Sequence, residues 1–387
     1  MYNFDLEPKR RNTNSLKWNV LDNELPMWVA DMDFKTAPEI TNEFIKRLES
    51  GIYGYNDIPD SFYDAYINWW GKYHNYKIEK DWIIFSTGVV PTISSTVRRL
   101  TEVANNVVIL TPVYNIFYNS ILNNGRHVLE SPLIYKNGNY EIDFIDLEDK
   151  LAMDETSLLI FCNPHNPVGK IWTKDEMARV GALCKKHNVN VISDEIHCDI
   201  VRPGLNYIPF GSVEGNEDIT ITCVAPTKCF NLAGIQTSAI IIKNKKLKHL
   251  VERGLNTDEC AEGNTLAVIT PQIAFKCRDW LNEMNEYVFN NRKIVEDYIN
   301  SNLADLRVIR GDATYLIWID CNNITNDDRK LCSFIREKTG LYVSCGSSYG
   351  KSGRGFIRMN VATTKKIVLD GLERLKKGII LFKEKSE

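Results

Sequence analysis

The sequence predicts an α/β protein: a mainly parallel sheet covered by helices, with a smaller α+β segment after it. Two observations predict this. Between about residues 80 and 245, short β-rich apolar runs at 82–85, 107–110, 158–161, 189–193, 219–224 and 239–242 alternate with stretches of helical period. The runs carry apolar residues on both faces, as strands do when helices bury both faces of a sheet.

The elements follow in order. After the first run, Pro91 suits the opening turn of a helix whose inward stripe is Ile93, Val97 and Leu100. The clearest helix starts at Thr173, with Glu176 three residues on as a capping box and Met177, Val180 and Cys184 on one stripe. After Thr265 the alternation gives way to long helical stretches around 266–301, then strand-like runs at 315–319 and 356–359. A last helix carries Val368, Leu372, Leu375, Ile379 and Phe382 at spacings of four, three, four and three. That stripe should cover a second, smaller sheet, and the polar tail from Lys383 should fray. The expected division is an N-terminal arm over 1–50, a large domain over 51–280 and a small C-terminal domain over 281–387.

Composition narrows the function. With 44% hydrophobic and 25% charged residues, the 387-residue chain can bury a core with room for a pocket. Lys plus Arg is 47 against 50 for Asp plus Glu, a net charge of −3, which leaves no footprint for nucleic acid or an anionic membrane. No apolar run approaches the ~20 residues that cross a bilayer. The ten cysteines never form Cys-x-x-Cys and read as reduced thiols. Residues 1–19 are polar, without the apolar centre of a leader, so the expected location is the cytoplasm. A small molecule is the expected partner.

In parallel sheets ligands gather at the carboxyl ends of the strands, so the residues after each run carry the chemistry. After 219–224 comes Ala225-Pro226-Thr227-Lys228. A lysine there suits an amine that must lose its proton and attack an aldehyde carbon. After 189–193, Asp194 ends a buried strand, which costs several kcal/mol unless a cation meets it; a protonated pyridine nitrogen would do so. His197, three residues on, reads better as a core histidine when taken alone. After 158–161, the Asn163-Pro164-His165-Asn166-Pro167-Val168-Gly169 turn offers the Asn166 amide as donor to a phenolate-type oxygen. Tyr114, after Thr111-Pro112-Val113, could cover the flat face of an aromatic cofactor. After 82–85, the free N–H groups of Gly88, Val89 and Val90 at a helix start suit a phosphate, with Thr227 as a nearby hydroxyl. Together these meet the needs of pyridoxal 5′-phosphate.

On these stretches the chain resembles the fold-type I pyridoxal-phosphate enzymes nearly end to end. More narrowly it resembles the MalY/PatB group of cystathionine β-lyases, or cysteine C–S lyases. The narrower likeness rests on Asp31-Met32-Asp33-Phe34, Gly88-Val89-Val90-Pro91 and Asp194-Glu195-Ile196-His197. The resemblance implies a seven-stranded-type large-domain sheet and a homodimer with active sites at the subunit interface. It assigns Lys228 to the Schiff base, Asp194 to the ring nitrogen, Asn166 to the ring oxygen and Tyr114 to ring stacking. Arg358 falls to the substrate α-carboxylate, and Tyr55 to the phosphate of the other subunit. Three departures stand out. Ala225 replaces a common serine, and His197 stands where many aminotransferases have the tyrosine that assists Asn166. Gln236 replaces a common phosphate-binding arginine. The last two fit the C–S lyase group.

The expected reaction is an α,β-elimination on cystathionine, cystine or S-alkyl cysteines, giving a thiol, pyruvate and ammonia in amino-acid metabolism leading to methionine. Lys228 acts as general base, and Lys228 or Tyr114 protonates the leaving thiolate. An aminotransferase of the same fold shares every cofactor contact and is the alternative. A regulatory protein with incidental lyase activity is a further reading, without a DNA-binding segment to support it.

Overall fold

The computed structural model describes residues 2–7 and 9–386. Its largest sheet has seven strands in the order Ile83–Ser86, Ser238–Ile241, Thr220–Val224, Asn190–Asp194, Thr156–Cys162, Asn106–Thr111 and His127–Pro132. All neighbours pair in parallel except Ser238–Ile241, which runs antiparallel to both strands beside it. The mainly parallel sheet expected from the sequence is therefore present, with one reversed strand.

Alternation along each strand builds two cores. Val107, Ile109, Leu158 and Ile160 face one side, with Ile93 and Val97 of the helix Val89–Leu100. Val108, Leu110, Leu159 and Phe161 face the other, with Met177, Val180 and Cys184 of the helix Lys174–Lys186. The Thr173–Glu176 capping box forms in full. Both faces are buried, so the strands carry apolar residues on both faces.

A second sheet of four antiparallel strands runs Arg307–Val308, Leu316–Asp320, Phe356–Asn360 and Ser344–Cys345. The C-terminal helix Lys365–Ser386 packs on the helices Arg278–Asn302 and Asp328–Thr339. Its stripe from Val368 to Phe382 is buried in the same core as Ile317 and Ile357 of this sheet. Two expectations need correction. The helical stretch around 266–301 is broken into Thr270–Ala274 and Arg278–Asn302, with three residues between. The tail does not fray at Lys383: the helix continues to Ser386, and Lys383 pairs with Asp305 at 2.6 Å.

The N-terminal arm is sewn onto the site. Leu25–Pro26 pairs in parallel with Leu341–Tyr342. Lys17 and Asp33, both buried, form an ion pair at 2.8 Å, and Arg10 bridges Asp31 and Asp33. Asn231 then clamps the 32–34 backbone through both ends of its amide. No described helix is long and apolar enough to cross a membrane.

Candidate active site

Lys228 lies between Thr220–Val224 and Ser238–Ile241. Those strands are antiparallel neighbours and need no crossover helix, so the linking residues stay at the rim of the sheet. The Lys228 ammonium donates to the Ala30 carbonyl at 2.6 Å. Burial lowers its pKa to about 8; the charge of Asp31 opposes this, Arg358 adds to it, and Asp194 opposes it. The amine therefore yields its proton far more readily than a surface lysine.

Asp194 ends its strand in register with Cys162 on one side and Cys223 on the other. It is buried, and its Oδ1 accepts from the Ile196 N–H at 3.1 Å, so it does cap the next segment. Among the described residues no ion pair meets its charge. Burial raises its pKa to about 6, against the pull of the Ile196 N–H and of Lys228. His197 is also buried, edge-on to the Tyr315 ring with centroids 6.0 Å apart. Burial and the charges of Lys228 and Arg358 push its pKa down to about 3, so the ring is neutral, and its Nδ1 finds no partner.

Across the site, Arg358 projects from Phe356–Asn360 and is 4% exposed. Its Nη1 donates to Asn166 Oδ1 at 3.1 Å and its Nη2 to the Trp28 carbonyl at 2.9 Å. The guanidinium lies 4.7 Å from the Tyr349 ring centroid, and its Nε is buried without a partner. Tyr114 is part-buried; desolvation raises its pKa to about 12 although Arg358 pulls it down. It therefore keeps its proton and can donate it in a hydrogen bond. Gly88 precedes the helix Val89–Leu100, and no side chain caps that start. Thr227 is buried beside Lys228 on the same turn.

Tyr114, Lys228 and Arg358 line one cleft of about 740 Å³. Asn166 joins them through Arg358, while Asp194 and His197 are coupled electrostatically to Lys228. Tyr55 is not brought there by its own chain: it is fully exposed, beside exposed Ile52 and Tyr53. Sequence reasoning gave no role to the Ala30 and Trp28 carbonyls, to Tyr315 or to Tyr349. Tyr315 is buried and its hydroxyl donates to the same Ala30 carbonyl at 3.0 Å. A backbone acceptor leaves no signature in residue identity.

Known proteins share this architecture. Cystathionine beta-lyase PatB of Bacillus subtilis is 38% identical over 385 residues, covering 97% of this chain and 100% of that protein. Cystalysin of Treponema denticola, whose crystal structure contains pyridoxal 5′-phosphate, superposes with a TM-score of 0.95 at 34% identity. The alignment covers 98% of this chain and 99% of cystalysin. The pyridoxal-phosphate-bound C–S lyase of Staphylococcus hominis gives 0.92 at 32% identity, covering 98% of each chain. The family model for aminotransferase class I and II matches residues 27–375. With its fold-type I architecture, this chain belongs to the aminotransferase class I and II family.

Proposed function

We propose that this chain is a pyridoxal-phosphate-dependent carbon–sulfur lyase that splits L-cystathionine and related cysteine thioethers to a thiol, pyruvate and ammonia. When bound, the cofactor supplies a sink for the electron pair left at the substrate Cα. The residues fit it. Among the described residues, a buried carboxyl outside any ion pair, an amine of lowered basicity, a helix start with no side-chain cap and a buried His197 Nδ1 without a partner suit such a cofactor.

Asp194 would hold a proton on the ring nitrogen, and Asn166 Nδ2 would donate to the ring oxygen. The N–H groups of Gly88, Val89 and Val90, with the Thr227 hydroxyl, would take the phosphate. Tyr114 would cover the ring face. Lys228 Nζ would tether the aldehyde and then, released by the substrate amine, take the α-proton. Arg358 would grip the α-carboxylate. The C–S bond then breaks as the Cα–Cβ double bond forms, and the departing sulfur takes a proton from Lys228, with the Tyr114 hydroxyl as hydrogen-bond donor. Water hydrolyses the released enamine. With cystathionine the thiol is homocysteine, which places the reaction in methionine biosynthesis.

The meeting of Lys228 and Asp194, each displaced from its ordinary ionisation by burial, supports the cofactor. The observation that carries the lyase reading is the 38% identity with cystathionine beta-lyase PatB over 97% of this chain. Exposed Ile52, Tyr53 and Tyr55 support a homodimer in which Tyr55 reaches the partner's phosphate site. Ten free cysteines support a reducing, cytoplasmic setting. The test is release of thiol and pyruvate from L-cystathionine by the purified holoenzyme. Amino-group transfer to 2-oxoglutarate without pyruvate would make it an aminotransferase instead.

A further inference from the structure

The cleft over Lys228 is lined by four cationic side chains, Lys228, Arg329, Arg336 and Arg358, and by no carboxylate. Two of the four lie deep, where the proposed reaction uses them. The other two stand on the helix Asp328–Thr339. Arg336 is already matched: its Nε and Nη2 donate to the two oxygens of Glu24 at 2.6 and 2.9 Å, and it lies 3.7 Å from the Tyr342 ring centroid. Arg329 is not. It is exposed, its Nε donates to Ser347 Oγ at 2.9 Å, and among the described residues it forms no ion pair. The carboxylates next to it in sequence are engaged elsewhere. Asp328 accepts from the Ser347 and Gly355 N–H groups and Asp327 from the Lys330 N–H.

We infer that Arg329 is a specificity residue for a carboxylate on the far side of the scissile sulfur. The enzyme then favours cysteine thioethers whose leaving thiol itself carries a carboxylate over plain S-alkyl cysteines. This rests on the lyase reading above. A thioether held at Arg358 by its α-carboxylate extends its sulfur substituent along the cleft. Every charged group lining that cleft is positive, and among the described residues the one with neither a carboxylate partner nor an assigned role is Arg329. The Nε bond to Ser347 leaves the two Nη groups able to grip a carboxylate in bidentate fashion.

The test compares S-(2-carboxyethyl)-L-cysteine with its side-chain amide, which matches it in length and scissile bond. Thiol release by the holoenzyme gives the ratio of their kcat/KM values. The wild type should prefer the carboxylate by about five- to thirtyfold, between the range of an exposed ion pair and that of a charge-assisted bidentate contact. The preference should shrink as salt is raised. Arg329→Gln should bring the ratio close to one, and Arg329→Lys should keep part of it. A ratio near one in the wild type, or a preference that survives in Arg329→Gln, overturns the assignment and leaves the lyase reading intact. Thiol release from L-cystathionine but from neither compound overturns the subsite alone, and failure on all three overturns the lyase reading with it.

Discussion

Arg358 Nη1 donates to Asn166 Oδ1 at 3.1 Å, and that bond decides which way a buried amide faces. With its oxygen turned to the guanidinium, Asn166 presents its Nδ2 donor elsewhere. The two residues are 192 positions apart, one on the turn after the large sheet's strand Thr156–Cys162, the other within a strand of the second sheet. The contact couples the proposed cofactor donor to the proposed substrate clamp.

Asn166→Asp tests that coupling. The change is nearly isosteric, but it replaces a guanidinium bond to a neutral amide with a buried ion pair and removes the Nδ2 donor. Arg358 would then hold an internal carboxylate in place of the substrate's. The KM for amino-acid substrates should rise at least about tenfold, with a larger fall in kcat/KM. Steady-state kinetics decide it, and an unchanged KM would mean that another cation binds the α-carboxylate.

Lys228 gives a pH dependence whose direction is fixed. Condensation with an aldehyde needs the neutral amine, and burial has brought the lysine pKa down to about 8. The neutral fraction therefore grows as pH rises through about 8, well before an ordinary lysine responds. The rate at which apoprotein takes up pyridoxal phosphate should climb with a midpoint near pH 8 and level off above it. A midpoint near 10.5 would show that the amine is hydrated like a surface lysine. Lys228→Ala should take no covalently held cofactor at any pH.

Much of this site was legible because one geometric rule does the sorting. Lys228, Asp194 and Asn166 each follow an apolar run, and parallel strands deliver their C-terminal ends to one edge. The strand His127–Pro132 was not legible. It lies at the sheet edge, half-exposed, and has no apolar run to show. The reversal of Ser238–Ile241 was invisible because side-chain periodicity carries no direction. The arm's hold on Lys228 was hidden too, since it depends on the Ala30 carbonyl and on Lys17 meeting Asp33 sixteen residues away.

That arm has a measurable energetic role. Lys17→Met leaves Asp33 buried with only Arg10 and the Trp18 indole facing it. Removing one member of a buried pair costs about 3 kcal/mol. Denaturant unfolding of Lys17→Met should show that loss at unchanged slope. Cofactor retention should weaken as well, because residues 30–34 pack beside Lys228. Wild-type stability would mean that Arg10 alone neutralises Asp33.

Asp194 makes the apoprotein sensitive to pH in the opposite sense to a salt-bridged acid. Burial raises its pKa from 3.8 to about 6, so the unfolded chain gives up this proton first. The penalty sets in as pH rises above 3.8 and is complete above about 6, where it reaches about 3 kcal/mol. Asp194→Asn should therefore stabilise the apoprotein at pH 8 by up to that amount and change little at pH 4. Glu195, also raised by burial, to about 7, is present in both proteins and cancels in the difference. In the holoprotein the advantage should vanish or reverse, because a cationic ring would then lack its carboxylate. Equal gains in apo and holo forms would refute the pairing.

Tyr55 offers the sharpest test of the assembly. It is fully exposed on its own chain and is proposed to serve the phosphate of another copy. Lys228→Ala should be inactive, and Tyr55→Ala should lose most of its activity through weak cofactor binding. In a mixed dimer the two defects fall in the same site: the one that uses the lysine of the first chain and the tyrosine of the second. The remaining site is then wild type. If subunits exchange at random, half the dimers are mixed and each has one good site, so about a quarter of wild-type activity should return. Were Tyr55 to serve its own chain's site, each site of the mixed dimer would carry one defect and mixing would restore nothing.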